Sequence, residues 1–299
     1  MFYSEHEHQL MYKINTTKKT ILADTITPVS IYLRIRDLYP NSILLESSDY
    51  RSKENAMSYI CCHPYAGIQL KENRISSYFP DGSSSSEELS DIRAALQEFK
   101  DKFELENADD KILNNGMFGY FTWNMIPHFE NIELSKKGDE ETIPPLQYHL
   151  YSYVIAVDHF KNQITLIHNS YGELGPEALE ELEYLIQNKK FHTHNFSLVN
   201  GEEQSVSEEG FKELVLTLKK HIQRGDVFQI VPSIAFKQKF KGDEFNVYRS
   251  LRSINPSPYL FYFDYGNFKL FGSSPEAQIT VKDREASIYP IAGTFKRTG

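Results

Sequence analysis

Residues 255–294 read NPSPYLFYFDYGNFKLFGSSPEAQITVKDREASIYPIAGT, and the punctuation of this stretch sets the expected fold. Three short runs rich in aromatic and β-branched residues, YLFYF, FKLFG and AQITV, are separated by Asp-Tyr-Gly-Asn and Ser-Ser-Pro and followed by Asp-Arg-Glu. Such runs between turn-forming residues predict an antiparallel meander with tight turns. The stretch closes on a further strand whose tip is Ala292-Gly293-Thr294. Gly293 lets a ligand approach the backbone closely, and Thr294 offers a hydroxyl and an N–H to an anionic or carbonyl oxygen. Spacing alone reads as no more than a strand followed by a glycine turn.

Working outward, Ser205 and Glu208 form a capping-box pattern ahead of Phe211, Leu214, Val215, Leu218 and Ile222, predicting a helix that closes at Gly225. A strand over 227–240 is expected next, with Pro232 marking a bulge or an edge. Periodicity is lost over 189–201, which places a division between a domain of residues 1–200 and one of 201–299. Within the first, a helix is predicted over 29–38 and an apolar strand over 42–47 that ends in a carboxylate and a hydroxyl. Strands over 58–62, 66–71 and 74–79 are expected around turns at His63-Pro64 and Glu72-Asn73. Asp81-Gly82 and the four serines after it read as a flexible connection into an amphipathic helix over 87–103. Residues 136–145 read as a surface loop, followed by strands over 148–158 and 163–168 and a helix over 176–187. The fold class is α+β, antiparallel sheets packed with helices.

Composition narrows the function. At 299 residues the chain can bury a sizeable core, and its formal charge of −9 argues against a nucleic-acid or anionic-membrane surface. No apolar run reaches the length of a transmembrane helix, and MFYSEHEHQL lacks the regions of a signal peptide, so a cytoplasmic protein is expected. Cys61 and Cys62 are neighbours in an expected strand, where successive side chains point to opposite faces, so they are read as reduced packing residues. The pairs His6/His8 and His192/His194 lack a third ligand of matching spacing and are not read as a metal site.

NPSPY, GSSPE and the strand leading into PIAGT, in this order and separation, resemble the chorismate-utilising enzymes of the anthranilate synthase component I type. GDVFQIV at 225–231 is similar to that family's GDxFQxV segment, and GMFGYFTW at 116–123 resembles its GYxGY-type strand, although the Asp and Arg that usually follow are absent. Family chains continue well past PIAGT, so this chain is expected to be an N-terminal part, incomplete at its C-terminus and inactive by itself. The resemblance implies addition of ammonia to chorismate and elimination of pyruvate, giving anthranilate. It also implies Mg2+, a hard cation that grips a carboxylate while keeping several waters, with its ligands in the part not present and no metal ligand in this chain. By the same resemblance Gly293 and Thr294 hold substrate, Ala292 and Glu276 are wall residues, and Gln229 and Thr294 lie at the reacting centre. Isochorismate and salicylate synthases carry a lysine in place of Gln229, and aminodeoxychorismate synthases carry one in place of Ala292. With neither lysine, ammonia is the nucleophile that fits.

The LLES segment, residues 44–47, begins the family's tryptophan-inhibitor site, and NPSPYL completes it. The resemblance thus implies an inhibitor site of Leu45, Glu46, Ser47, Met57, Pro258, Tyr259 and Leu260. Glu46 would receive the ammonium directly or through neighbouring backbone carbonyls, and Ser47 would donate to the carboxylate. Tyr259, Leu260 and Met57 would form the indole slot. A glutamine amidotransferase subunit is the implied ammonia source. A non-catalytic tryptophan-binding module and an aminodeoxychorismate synthase-like enzyme are the competing readings.

Overall fold

The computed structural model describes residues 11–47, 56–106, 113–134, 143–172 and 177–290. The tip residues Ala292, Gly293 and Thr294, most of the expected 136–145 loop, and the pair His6/His8 lie outside these. The contacts divide the chain into two compact units, Met1–Phe191 with Leu251–Gly299, and His192–Ser250. The division expected at residue 200 would cut a strand.

In the larger unit, β1 (Tyr12–Leu22) leads to α1 (Pro28–Ile35), which starts where Thr27 and Ser30 cap each other and Pro28 fixes the first turn. β2 (Ile43–Glu46) follows, then β3 (Met57–Lys71) and β4 (Arg74–Tyr78). β3 is one strand of 15 residues, not two strands around a turn. His63 takes a positive φ of 60° and the register with its neighbour shifts between Pro64 and Ala66. A proline has no N–H to give the ladder, so the chain bulges and bends there instead of reversing. Glu72 and Asn73 do form the expected turn, both at positive φ.

β5 (Ser84–Glu88) corrects the expectation of a flexible serine connection, since its serines pair along β4. The helix after it, α2 (Ile92–Asp101), is shorter than expected because Asp91 caps the N–H groups of Arg93 and Ala94. β6 (Phe103–Glu106), β7 (Phe118–Phe121), β8 (Leu146–Asp158), β9 (Gln163–Tyr171) and α3 (Glu177–Asn188) complete the first part of the unit.

In the smaller unit, β10 (Phe196–Gln204) pairs with β11 (Phe236–Gly242). Between them runs α4 (Glu208–Arg224), capped by Ser207, whose Oγ accepts from the Gly210 N–H. The capping box expected at Ser205 is thereby displaced, since Ser205 Oγ accepts from the Ala235 N–H instead. Gly225 ends α4 at a φ of 83°, as expected. Back in the larger unit, the end of α5 (Phe245–Ile254) leads to β12 (Tyr259–Asp264) and β13 (Lys269–Ser274). The third run of the expected meander does not join them; β14 (Thr280–Lys282) pairs with β15 (Glu285–Ser287) in a hairpin of its own.

Among the described residues eleven strands share one sheet, whose main path runs β13-β12-β2-β3-β8-β9-β1-β6. The two longest strands, β3 and β8, carry its curvature. Their one end holds β2 and β9, the other holds β4 and β7. Two cores follow from this bend. One gathers Tyr12, Ile68, Leu70, Ile75, Phe99 and Leu146; the other gathers Ile43, Cys61, Tyr151, Ala156 and Phe263. Cys61 and Cys62 are both buried and unpaired, as their position in one strand required. No helix among the described residues is long and apolar enough to cross a membrane.

Candidate functional site: a cavity at the end of β2

A cavity of about 470 Å³ opens where β2 ends and β12 begins. β2 contributes Leu45 and Glu46 with the following Ser47; β3 contributes Met57 and Tyr59; β7 contributes Gly119 and Tyr120. Pro258, Tyr259, Leu260, Phe261 and Phe263 close the remaining side. All seven residues expected of an inhibitor site therefore line one cavity, although β2 and β12 are more than 200 positions apart in the chain. What joins them is the ladder itself, in which Glu46 stands opposite Leu260 and Leu45 opposite Phe261.

The ladder also decides which side chains the cavity sees. Side chains alternate between faces along a strand and agree across a register. Leu45, Tyr59 and Phe261 are register partners and pack with Met57 against the Phe263 core, so this is the cavity face. Glu46, Ser58 and Leu260 are the alternate set and point to the opposite face. Glu46 and Leu260 thus give the cavity their backbone. Of the two routes expected for a ligand ammonium, this alternation leaves the neighbouring backbone, not the Glu46 carboxylate, beside the cavity, and it turns the Leu260 side chain the same way as Glu46. The aromatic rings that do flank the space, Tyr59, Tyr120, Phe261 and Phe263, were not foreseen, though Tyr59 follows Met57 and Phe261 follows Tyr259 at the two-residue spacing of a strand.

On the reverse face the Glu46 carboxylate is only 4% exposed and is held by Arg252 of α5, whose Nε lies 3.1 Å from Oε1 and 2.9 Å from Oε2. Beside it Ser58 Oγ and His159 Nε2 are 2.7 Å apart. Burial lowers the His159 pKa, and of the charges around it Glu46 and Asp158 raise it while Arg252 lowers it further. Tyr120 donates from its hydroxyl to the Pro144 carbonyl at 2.9 Å, and burial raises the pKa of both Tyr120 and Tyr59. Gly119 is required here: a Cβ would run into the Gln147 carbonyl and the Tyr148 Cα of β8.

Of the residues expected at the reacting centre, Gln229 belongs to the smaller unit and Thr294 lies outside the described residues. Gln229 is exposed on an irregular stretch, because the strand expected over 227–240 begins only at Phe236. Pro232 and the exposed Phe228 and Val231 account for that late start, having neither ladder donor nor packed face. Glu276 is exposed in the turn after β13, where Ser274 Oγ donates to its carbonyl and accepts from its N–H. Among the described residues no group of three or more His, Cys, Asp or Glu side chains could hold a metal ion.

The chorismate binding enzyme family matches residues 42–299. Anthranilate synthase component 1 of Lactococcus lactis is 31% identical over 93% of this chain and 61% of its own length. That of Aquifex aeolicus is 29% identical over 96% of this chain and 60% of its own. The chain thus spans about 60% of the length of the curated relatives it matches. The crystal structure of anthranilate synthase component I from Streptococcus pneumoniae superposes with a TM-score of 0.56 at 23% identity, covering 88% of this chain and 59% of that one. The menaquinone-specific isochorismate synthase of Escherichia coli gives 0.51 at 13% identity, covering 90% and 52%. Both share the fold, which is the expected α+β arrangement.

Proposed function

The chain belongs to the chorismate-binding enzyme family, and from that premise we propose that it forms part of an anthranilate synthase component I that is inhibited by tryptophan at the β2–β12 cavity. The reaction takes chorismate and ammonia to anthranilate, pyruvate and water, the ammonia coming from a glutamine amidotransferase partner in the cytoplasm. Relatives bearing that name at 28–31% identity support the reading over isochorismate or aminodeoxychorismate chemistry. So do Gln229 and Ala292, which leave the two lysine-dependent routes without their amine.

One observation carries the regulatory half: the LLES and NPSPYL segments, remote in sequence, wall a single cavity. Its aromatic and aliphatic face suits an indole, and the backbone of Glu46 with the Ser47 hydroxyl supplies polar groups at one edge for an amino-acid head. A non-catalytic tryptophan-binding module is a second reading, since both segments that wall the cavity lie within this chain. Calorimetric titration of the folded chain with tryptophan tests the cavity; one site is expected, and no heat at millimolar ligand overturns it. Chromatography of products from chorismate, magnesium and ammonium salt, made by the enzyme containing this chain, tests the reaction. Anthranilate is expected; isochorismate without anthranilate overturns the assignment, and no turnover favours the second reading.

A further inference from the structure

Arg252 is the last basic residue of α5, and its partner Glu46 ends β2, 206 positions earlier. The pair is asymmetric: the carboxylate is 4% exposed and the guanidinium side chain 44%. Just beyond Arg252 the chain runs through Asn255 to Pro258 and into the cavity wall. Asn255 is fixed at both ends, its N–H donating to the Leu251 carbonyl at 2.8 Å and its carbonyl accepting from Ser273 Oγ at 2.5 Å. The ladder bond set between Glu46 and Leu260 closes the circuit. The ion pair therefore ties together, from behind, the two backbone segments whose front faces line the cavity.

We infer that Arg252 is a positioning residue of the cavity: it never touches the ligand, and it sets ligand affinity by neutralising Glu46 and so fixing the end of β2 against the entry to β12. The inference rests on the cavity reading above and adds a residue and a mechanism to it. A buried carboxylate without its cation is driven to water, and at the end of a four-residue strand the only way there is to displace backbone. Replacing the carboxylate by a neutral amide removes that drive while leaving the strand in place.

A set of signs follows that direct ligand contact would not produce. In tryptophan titrations Arg252→Gln should weaken binding about tenfold. Glu46→Gln should weaken binding clearly less than Arg252→Gln does, and the double variant Glu46→Gln/Arg252→Gln should recover most of what Arg252→Gln loses, a coupling that only interacting neighbours show. Arg252→Lys, which keeps the charge, should stay within about threefold of the natural chain. Binding by Arg252→Gln equal to that of the natural chain would overturn the inference. So would a tenfold loss in Glu46→Gln, which would make the carboxylate a ligand contact, and so would a double variant no better than Arg252→Gln. If Arg252→Gln does not fold, Glu46→Gln and Arg252→Lys still decide between the two geometries. Absence of heat from the natural chain would instead refute the cavity reading on which the inference stands.

Discussion

Lowering the pH from 7 to 5 should destabilise the larger unit through His149 by a predictable amount. His149 is 7% exposed on β8, and its hydrogen-bond partners are neutral: Tyr78 at 2.9 Å from Nδ1 and the Gln147 amide at 3.0 Å from Nε2. The Tyr151 and Tyr265 rings stand beside it. With no carboxylate among these groups to welcome a proton, burial pushes the His149 pKa down to about 4. The unfolded chain, with an ordinary histidine near 6.5, binds the proton first. Stability is then full above pH 6.5, falls as the pH drops through the window between 6.5 and 4, and is lost to the extent of about 3 kcal/mol below it. At pH 5 the same pKa values give a loss of about 2 kcal/mol. Urea unfolding of the natural chain and of His149→Gln, each at both pH values, isolates this share, because every carboxylate and every other histidine contributes equally to both proteins. The variant should be weaker at pH 7, from lost packing, yet lose about 2 kcal/mol less on acidification. Parallel losses in the two proteins would refute the reasoning.

Gly119→Ala should lower stability by about 1–3 kcal/mol, because the new methyl meets β8 backbone that no rotamer change can move aside. It should also weaken ligand binding, since Tyr120 on the cavity wall follows directly; an unchanged melting temperature would count against the close approach of β7 and β8. Ser47→Arg should abolish tryptophan binding by filling the cavity edge with a charge, at a cost of several kcal/mol if that charge is left unpaired. Calorimetry reads the result, and equal binding by the variant would move the ligand elsewhere. Cys61 and Cys62, buried with thiol pKa values raised by desolvation, should resist a thiol reagent until denaturant is added. Rapid stoichiometric labelling of the native chain would contradict their burial.

The cavity-lining residues were legible through the family resemblance, carried by two local motifs, an apolar strand ending in Glu-Ser and a proline-flanked Asn-Pro-Ser-Pro-Tyr turn, which by themselves read as core strand and turn. Even the face of Glu46 could have been read, since strand alternation sets it apart from Leu45. What local pattern could not supply was partnership. Serines 84–86 have low strand propensity and form β5 only because β4 offers a ladder. His63-Pro64 carries a turn signature, yet β8 pairs along both sides of it and turns the break into a bulge. Gln229 sits in a segment with strand-like composition that has no neighbour until Phe236. Arg252 had no signal at all, because nothing in the order of residues says that the end of a helix near position 252 will meet the end of a strand near position 46.

The pairing of β2 with β12 has a consequence for the chain as it is being made. Ile43, Leu44 and Leu45 pair on one edge with β3 residues 14–18 positions later, but the other edge waits for β12 to leave the ribosome. At roughly 5–20 residues per second, the synthesis of the intervening 200 or so residues leaves that apolar edge open for about 10–40 s. An uncovered strand edge is a template for another chain. The nascent polypeptide is therefore most in need of chaperone cover during that interval, and slowing translation between the two strands should raise the share of chains that aggregate before the sheet can close.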